Sequence, residues 1–220
     1  FNGEGVSSFF PVLIFFVLVP LIELFLKPDR SNFDQEMAEV EKNSPIYDWI
    51  LYLAVPVQIG MLFYFFKIIS NTPYDSIEFY GRIFAMGMMC GVMGINIGHE
   101  LGHRSDRANQ FLGELLLLSS LNTHFLPYHT EGHHREVATP DDAATAKRGQ
   151  WLFHFWISSH FRSYFKAWEI EASRMKKRNR SIFSLHNRMV VYSIANVLLL
   201  GSIYYFMGTK VLIAFIFAAV

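Results

Sequence analysis

The sequence predicts an all-α, polytopic transmembrane helical bundle with a cytoplasm-facing, histidine-rich metal site, and three observations carry that prediction. Long apolar runs recur along 220 residues of which 52% are apolar and only 17% charged, a balance too apolar for an ordinary soluble domain. No strand-period alternation runs through them, and lipid leaves backbone groups no partner outside a helix or a closed barrel. Six of the nine histidines fall in two clusters between His99 and His134, next to the ends of such runs. Nineteen basic residues balance nineteen acidic ones, and the single Cys90 sits in an apolar run. That excludes a basic nucleic-acid binder, a disulfide scaffold and a thiolate metal ribbon.

Four stretches are long and apolar enough to cross a hydrocarbon core of ~30 Å: Phe9 to Leu26, Trp49 to Ile69, about Phe79 to Gly98, and Met189 to Met207. A fifth begins at Val211. Trp49, Tyr52 and Tyr80 stand at span ends as interfacial anchors. The start carries no short apolar region followed by a small-residue cleavage site, so no removable signal peptide is expected there. Residues 1–220 are expected to be one integral membrane domain. The opening on Phe1 and the stop inside Val211 to Val220 are what a chain continuing beyond one or both ends would give.

The run Phe111 to Pro127 carries Glu114, Ser119, Ser120, Asn122, Thr123 and His124. If it spanned, the histidines before and after it would lie ~25 Å apart on opposite faces. It is therefore expected to be re-entrant or interfacial, buried against protein where its polar groups are tolerated. This places residues 27–48 and 99–188 on one side, with three and thirteen basic residues respectively, that is sixteen of the nineteen. By the positive-inside rule that side is cytoplasmic. Its densest run, Arg174, Lys176, Lys177, Arg178 and Arg180, suits lipid headgroups, with an acidic partner as the alternative. Gly87, Gly91, Gly94 and Gly98 on the third span predict close approach of a neighbouring helix.

The first histidine cluster is His99-Glu-Leu-Gly-His103, whose i, i+4 spacing places both imidazoles on one helical face. The second runs from His124 through His129-Thr-Glu-Gly-His133-His134, in which His129 and His133 repeat that spacing. Five imidazoles exceed the three or four that one zinc takes, which favours two metals, although imidazole alone does not choose among Zn, Cu, Fe and Ni. Glu100, Glu131, Glu136, Asp141 and Asp142 are candidates to orient the imidazole N–H groups. His99-Glu100-x-x-His103 also fits the zinc-protease helix in which the glutamate is the general base. A haem carrier with paired histidines is disfavoured, because the clusters lie at helix ends rather than facing each other across a bundle. His154, His160 and His186 are expected to be interfacial polar groups.

Two strings resemble the first two histidine boxes of the membrane alkane monooxygenases, within the wider fatty acid desaturase and hydroxylase group. They are His99-Glu-Leu-Gly-His103-Arg104 and His129-Thr-Glu-Gly-His133-His134-Arg-Glu-Val-Ala-Thr-Pro-Asp-Asp-Ala-Ala-Thr-Ala146. Similarity extends to Phe165-Lys-Ala-Trp-Glu-Ile-Glu171. The resemblance implies a diiron centre with His99, His103, His129, His133 and His134 as iron and catalytic ligands, two Fe per complete chain, and His124 outside the ligand pattern. It implies terminal hydroxylation of medium-chain alkanes with O₂ in the bacterial inner membrane, and rubredoxin with its NAD(P)H-dependent reductase as electron source. One cysteine cannot build an iron–sulfur or rubredoxin site, so electrons are expected from such a partner. A related hydroxylase or desaturase acting on fatty acyl or aromatic substrates is the alternative. Aligning Val19-Pro20-Leu21-Ile22 puts Phe15 where a bulky residue closes the far end of the alkane channel. Tyr128 stands where the family usually has Glu, and Ala143 where it usually has Pro. The family's later His-Tyr-Gly element and third H-x-x-H-H box do not occur in these residues, so this stretch alone is not expected to hold two irons.

Overall fold

The computed structural model describes residues 3–28, 31–32, 34–42 and 44–219. Four helices are long and apolar enough to cross a membrane: Gly5–Phe25, Pro45–Asn71, Ile77–Gly102 and Arg188–Ala219. The protein is an integral membrane protein, and its described residues contain no strand. Each of the first three spans overlaps its expected range and runs a few residues beyond it at one end or both, because apolar composition marks the lipid-crossing stretch and the caps lie further out, whereas the last stretch continues past Met207 to Ala219. Ser76, for example, caps the third span by accepting the Phe79 N–H at 3.3 Å.

Contacts between span ends fix the topology. Arg104, just past the third span, pairs with Asp48 in the first turn of the second at 3.1 Å. At the opposite end Arg82 bonds Thr72, and Lys210 donates to the Ser70 carbonyl at 2.9 Å. The last helical stretch is broken at Gly208, whose φ of 82° and ψ of 175° are non-helical and favour a residue without a Cβ. Beyond it the Phe215 ring meets Phe66 edge-on at 5.5 Å, and a Cβ on Gly87 would stand 3.3 Å from the Ala218 carbonyl. The chain after Gly208 therefore turns back into the bundle, as a fifth span from Val211 would require. Phe65, Phe66, Ile69, Met86 and Phe215 fill the core between these helices. In lipid that core is held by shape rather than by the exclusion of water.

The run expected to be re-entrant makes a hairpin. Asp106 caps the helix Arg107–Leu118 by accepting the Asn109 N–H at 2.9 Å. This helix packs against the end of the third span so closely that a Cβ on Gly113 would lie 2.7 Å from the Gly98 carbonyl oxygen and 3.0 Å from the Gly102 nitrogen. Of the third-span glycines, Gly87, Gly94 and Gly98 meet neighbours in this way, whereas a Cβ on Gly91 would meet nothing within 4 Å. The helix ends where Leu121 takes a left-handed φ of 50° and the Asn122 N–H reaches back to the Leu117 carbonyl at 2.9 Å. The turn is polar and buried. Ser120 bonds the Cys90 carbonyl at 3.1 Å, and Ser119 accepts from Gln58, midway along the second span, at 3.2 Å. These bonds are what non-spanning backbone needs at membrane depth.

Candidate metal centre

From the turn the chain climbs back through residues 125–136 to the end of the third span. His99 and His103 stand on its last α-helical turn, with their Nε2 atoms 2.7 Å apart. Residues His129–His133 form a π-helical turn, a form in which residues five apart share a direction. His129 consequently faces His134, with Nε2 atoms at 2.9 Å, and also His103 at 3.1 Å. His129 and His133, four residues apart, stack with ring centroids 5.3 Å apart as their spacing predicts, and His133 turns its Nδ1 to Asp142 Oδ2 at 3.0 Å.

Four imidazole Nε2 atoms therefore converge. His99, His103 and His129 offer ligand atoms within 4.8 Å of one another and could hold a metal ion. The spacing suits a shared cation, since two imidazole nitrogens bound to one ion at ~2.1 Å lie roughly 3.0–3.4 Å apart. Hydrogen bonding alone satisfies the group poorly, because a neutral ring carries one N–H while His103 and His129 each face two neighbouring nitrogens through a single Nε2. Burial, then the neighbouring His99, hold the His129 imidazole neutral, pushed down to about 3. Neutral imidazole is the ligating form. His99 and His129 are half-buried while His103 and His134 are exposed, so the cluster has an open rim.

The surroundings include residues that spacing did not single out. Phe125 stacks on His129 at 4.7 Å and meets His99 edge-on at 5.6 Å. Tyr128 is buried and bonds Asp142, which is itself fully buried. Burial works against the Asp142 charge, but bonds from Thr145, Tyr128, the Ala144 N–H and His133 outweigh it and hold the carboxyl well below the usual range. Burial, then the bond to Asp142, push the Tyr128 hydroxyl up. A polar cavity of about 280 Å³ lined by His103, Arg104, Gln110, Glu114 and Arg188 opens beside the cluster. A second, apolar one of about 350 Å³ lies deeper, between Phe63, Phe66, Leu115, Leu118, Ile203 and Phe206.

The other expected residues lie as follows. Glu100 is exposed, 4.0 Å from Arg104. Glu131 pairs with Arg188 at 2.6 Å, and Arg188 Nε reaches the fully buried Glu171 at 2.9 Å. Asp141 is exposed, so the neighbouring Asp142 is the one that reaches a histidine. His124 is buried away from the converging nitrogens, its ring 5.0 Å from His160 and 5.5 Å from Tyr164. His160, expected at the interface, is drawn inward by that packing. His186 bonds Ser184 at 3.0 Å, and His154 is exposed. Phe15 is 51% exposed on the first span.

The model of the fatty acid desaturase family matches residues 77–220. The chain belongs to the fatty acid desaturase family. The matched stretch of this desaturase-family chain holds both histidine clusters, the re-entrant hairpin and the last span, and leaves the first two spans outside it. The chain is 30% identical over 202 residues to alkane 1-monooxygenase 1 of Alcanivorax borkumensis, covering 92% of this chain and 50% of that protein. It is 31% identical over 193 residues to alkane 1-monooxygenase 2 of Pseudomonas aeruginosa, covering 86% and 51%. A xylene/toluene monooxygenase hydroxylase component of Pseudomonas putida is 28% identical over 171 residues, covering 76% and 46%. The chain spans about half the length of the curated relatives it matches.

Proposed function

We propose that these residues form one integral membrane domain of a diiron monooxygenase that hydroxylates the terminal carbon of medium-chain alkanes. O₂ is the oxidant, and electrons come from rubredoxin and its NAD(P)H-dependent reductase. The observation that carries the reading is the convergence of four imidazole Nε2 atoms at 2.7–3.1 Å, in a chain whose relatives are named alkane 1-monooxygenases. His99, His103, His129 and His134 would hold iron through Nε2, and His133 would join them with its Nδ1 kept by Asp142. Iron bound there supplies the reductive activation of O₂.

The chain's own contribution is placement and shielding. Its spans present apolar surface to the bilayer, into which an alkane partitions, so substrate arrives without crossing water. Phe125 lays an apolar face against His129 and His99, and the buried Asp142 fixes one imidazole. The excess of basic residues on the histidine-bearing side supports a cytoplasmic orientation in the bacterial inner membrane. The exposed Glu100 gives no support to a zinc-protease base beside the cluster.

The deciding experiment is metal analysis of the full reading frame purified in detergent from iron-replete cells, with product analysis on octane. About two Fe per chain and 1-octanol support the reading. About one Zn per chain would move it to a metalloprotease, and turnover confined to aromatic or fatty acyl substrates would move it to a related hydroxylase. Phe15 is the candidate for chain-length control: Phe15→Ala should shift hydroxylation toward longer alkanes, and an unchanged product profile across chain lengths would remove it from that role.

A further inference from the structure

The buried contact between Tyr128 and Asp142 lies one residue before His129, and the reaction scheme above leaves Tyr128 without a task. Asp142 has no exposed surface, and both of its oxygens are engaged. Oδ2 accepts from Thr145 Oγ1 at 2.6 Å and faces His133 Nδ1 at 3.0 Å. Oδ1 accepts from the Ala144 N–H at 3.1 Å and from the Tyr128 hydroxyl. The same hydroxyl accepts the Ala144 N–H at 2.7 Å, which leaves its own proton free to point only at the carboxylate. On the far side Arg162 holds the backbone carbonyls of Pro140 at 3.1 Å and Asp142 at 3.4 Å. Asp142 is thus fixed from every side, and the one polar side chain it orients in turn is His133.

We propose that Tyr128 is a positioning residue: by donating to Asp142 Oδ1 it fixes the carboxylate that takes the His133 Nδ1–H, and so keeps His133 Nε2 free to bind iron. This rests on the diiron reading. The chemistry of the side chain explains why a phenol suits the place. A glutamate there, as the resemblance would lead one to expect, is shorter than a tyrosine and, when ionised, only accepts, so it could not make this donated bond to Asp142. A phenol donates without charge, so Asp142 stays ionised, which is the form that draws the imidazole proton to Nδ1.

The test uses the full-length protein and reads metal affinity, by chelator competition with Fe(II), beside the unfolding midpoint of the metal-free form. Tyr128→Phe should weaken binding about 10-fold and Asp142→Asn between about 10- and 100-fold. The double variant should lose no more than Asp142→Asn alone, because both act through one carboxylate. An unchanged affinity for Tyr128→Phe, additive losses in the double variant, or an affinity loss matched by a fall in metal-free stability would each overturn the proposal. The tautomer of His133 needs no variant: ¹⁵N spectra of the metal-free protein should place its proton on Nδ1, and a proton on Nε2 overturns the proposal. A wild-type protein that takes up no iron would instead overturn the diiron reading.

Discussion

The first histidine cluster stands on an α-helical turn, where His99 and His103, four residues apart, bring their Nε2 atoms to 2.7 Å, whereas the second stands on a π-helical turn, where His129 and His134, five apart, reach 2.9 Å. Their supports differ as much as their backbones. The first is set by helix-on-helix approach at Gly98, Gly102 and Gly113, which brings the re-entrant hairpin against the third span. The second is set by hydrogen bonds, with His133 tied to a buried carboxylate. One half of the site therefore depends on steric fit and the other on a polar network, and the two are expected to fail under different perturbations.

The largest effect should come from the residues that join the two halves. His103 and His129 each face two other nitrogens and face each other across the gap at 3.1 Å. Replacing either by Ala should lower bound iron and hydroxylation by more than about 100-fold, beyond what loss of an outer-shell partner costs. His133→Ala should be milder, because His133 stands off from the converging group. Metal content and octane turnover of the three variants would settle the order. If His133→Ala proved the most severe, the second cluster would be organised around His133 rather than around the His129 and His134 pair.

A smaller effect tests the steric half alone. The atoms that a Cβ on Gly113 would strike belong to the backbone of Gly98 and Gly102, which cannot rotate away. Gly113→Ala should therefore destabilise the protein by about 1–3 kcal/mol, the ordinary cost of overpacking. It should also separate the clusters enough to lower iron affinity. Gly91→Ala, on the third span and facing open space, should leave both unfolding midpoint and metal content unchanged. Equal behaviour of the two variants would show that small-residue packing does not bring the hairpin to the third span.

These contrasts also explain what the sequence disclosed. The spans were legible because hydrocarbon demands length and apolar character from the residues themselves. The re-entrant hairpin was legible from chemistry, since spanning would have divided the histidines. The π-helical turn was not, because His129-Thr-Glu-Gly-His133-His134 offers both i, i+4 and i, i+5 pairs and only tertiary packing selects between them. Nothing local separates Asp141 from Asp142 either; one is exposed and the other buried by contacts from Tyr128 and Thr145. The pairing of Glu131 with Arg188 joins residues 57 apart in the chain, beyond the reach of spacing arguments.

The smallest expected effect concerns a histidine that belongs to neither half. Burial, then the neighbouring His160, push the His124 imidazole down to about 3, and Tyr164 is the other ring against it. In the unfolded chain His124 titrates near the ordinary value of ~6.5. Between those two values the unfolded state binds the proton and the folded state does not. The stabilisation is therefore fully present above about pH 6.5 and is lost as pH falls toward the folded value, by about 1 kcal/mol at pH 5.5. His124→Gln cannot take up that proton, so in metal-free protein its unfolding free energy should fall less than the wild type's between pH 7.5 and 5.5, by about that amount. The rest of the chain is common to both proteins and cancels in the comparison. Parallel pH profiles would mean that water reaches His124 beneath the site, and its packing against His160 and Tyr164 would have to be redrawn.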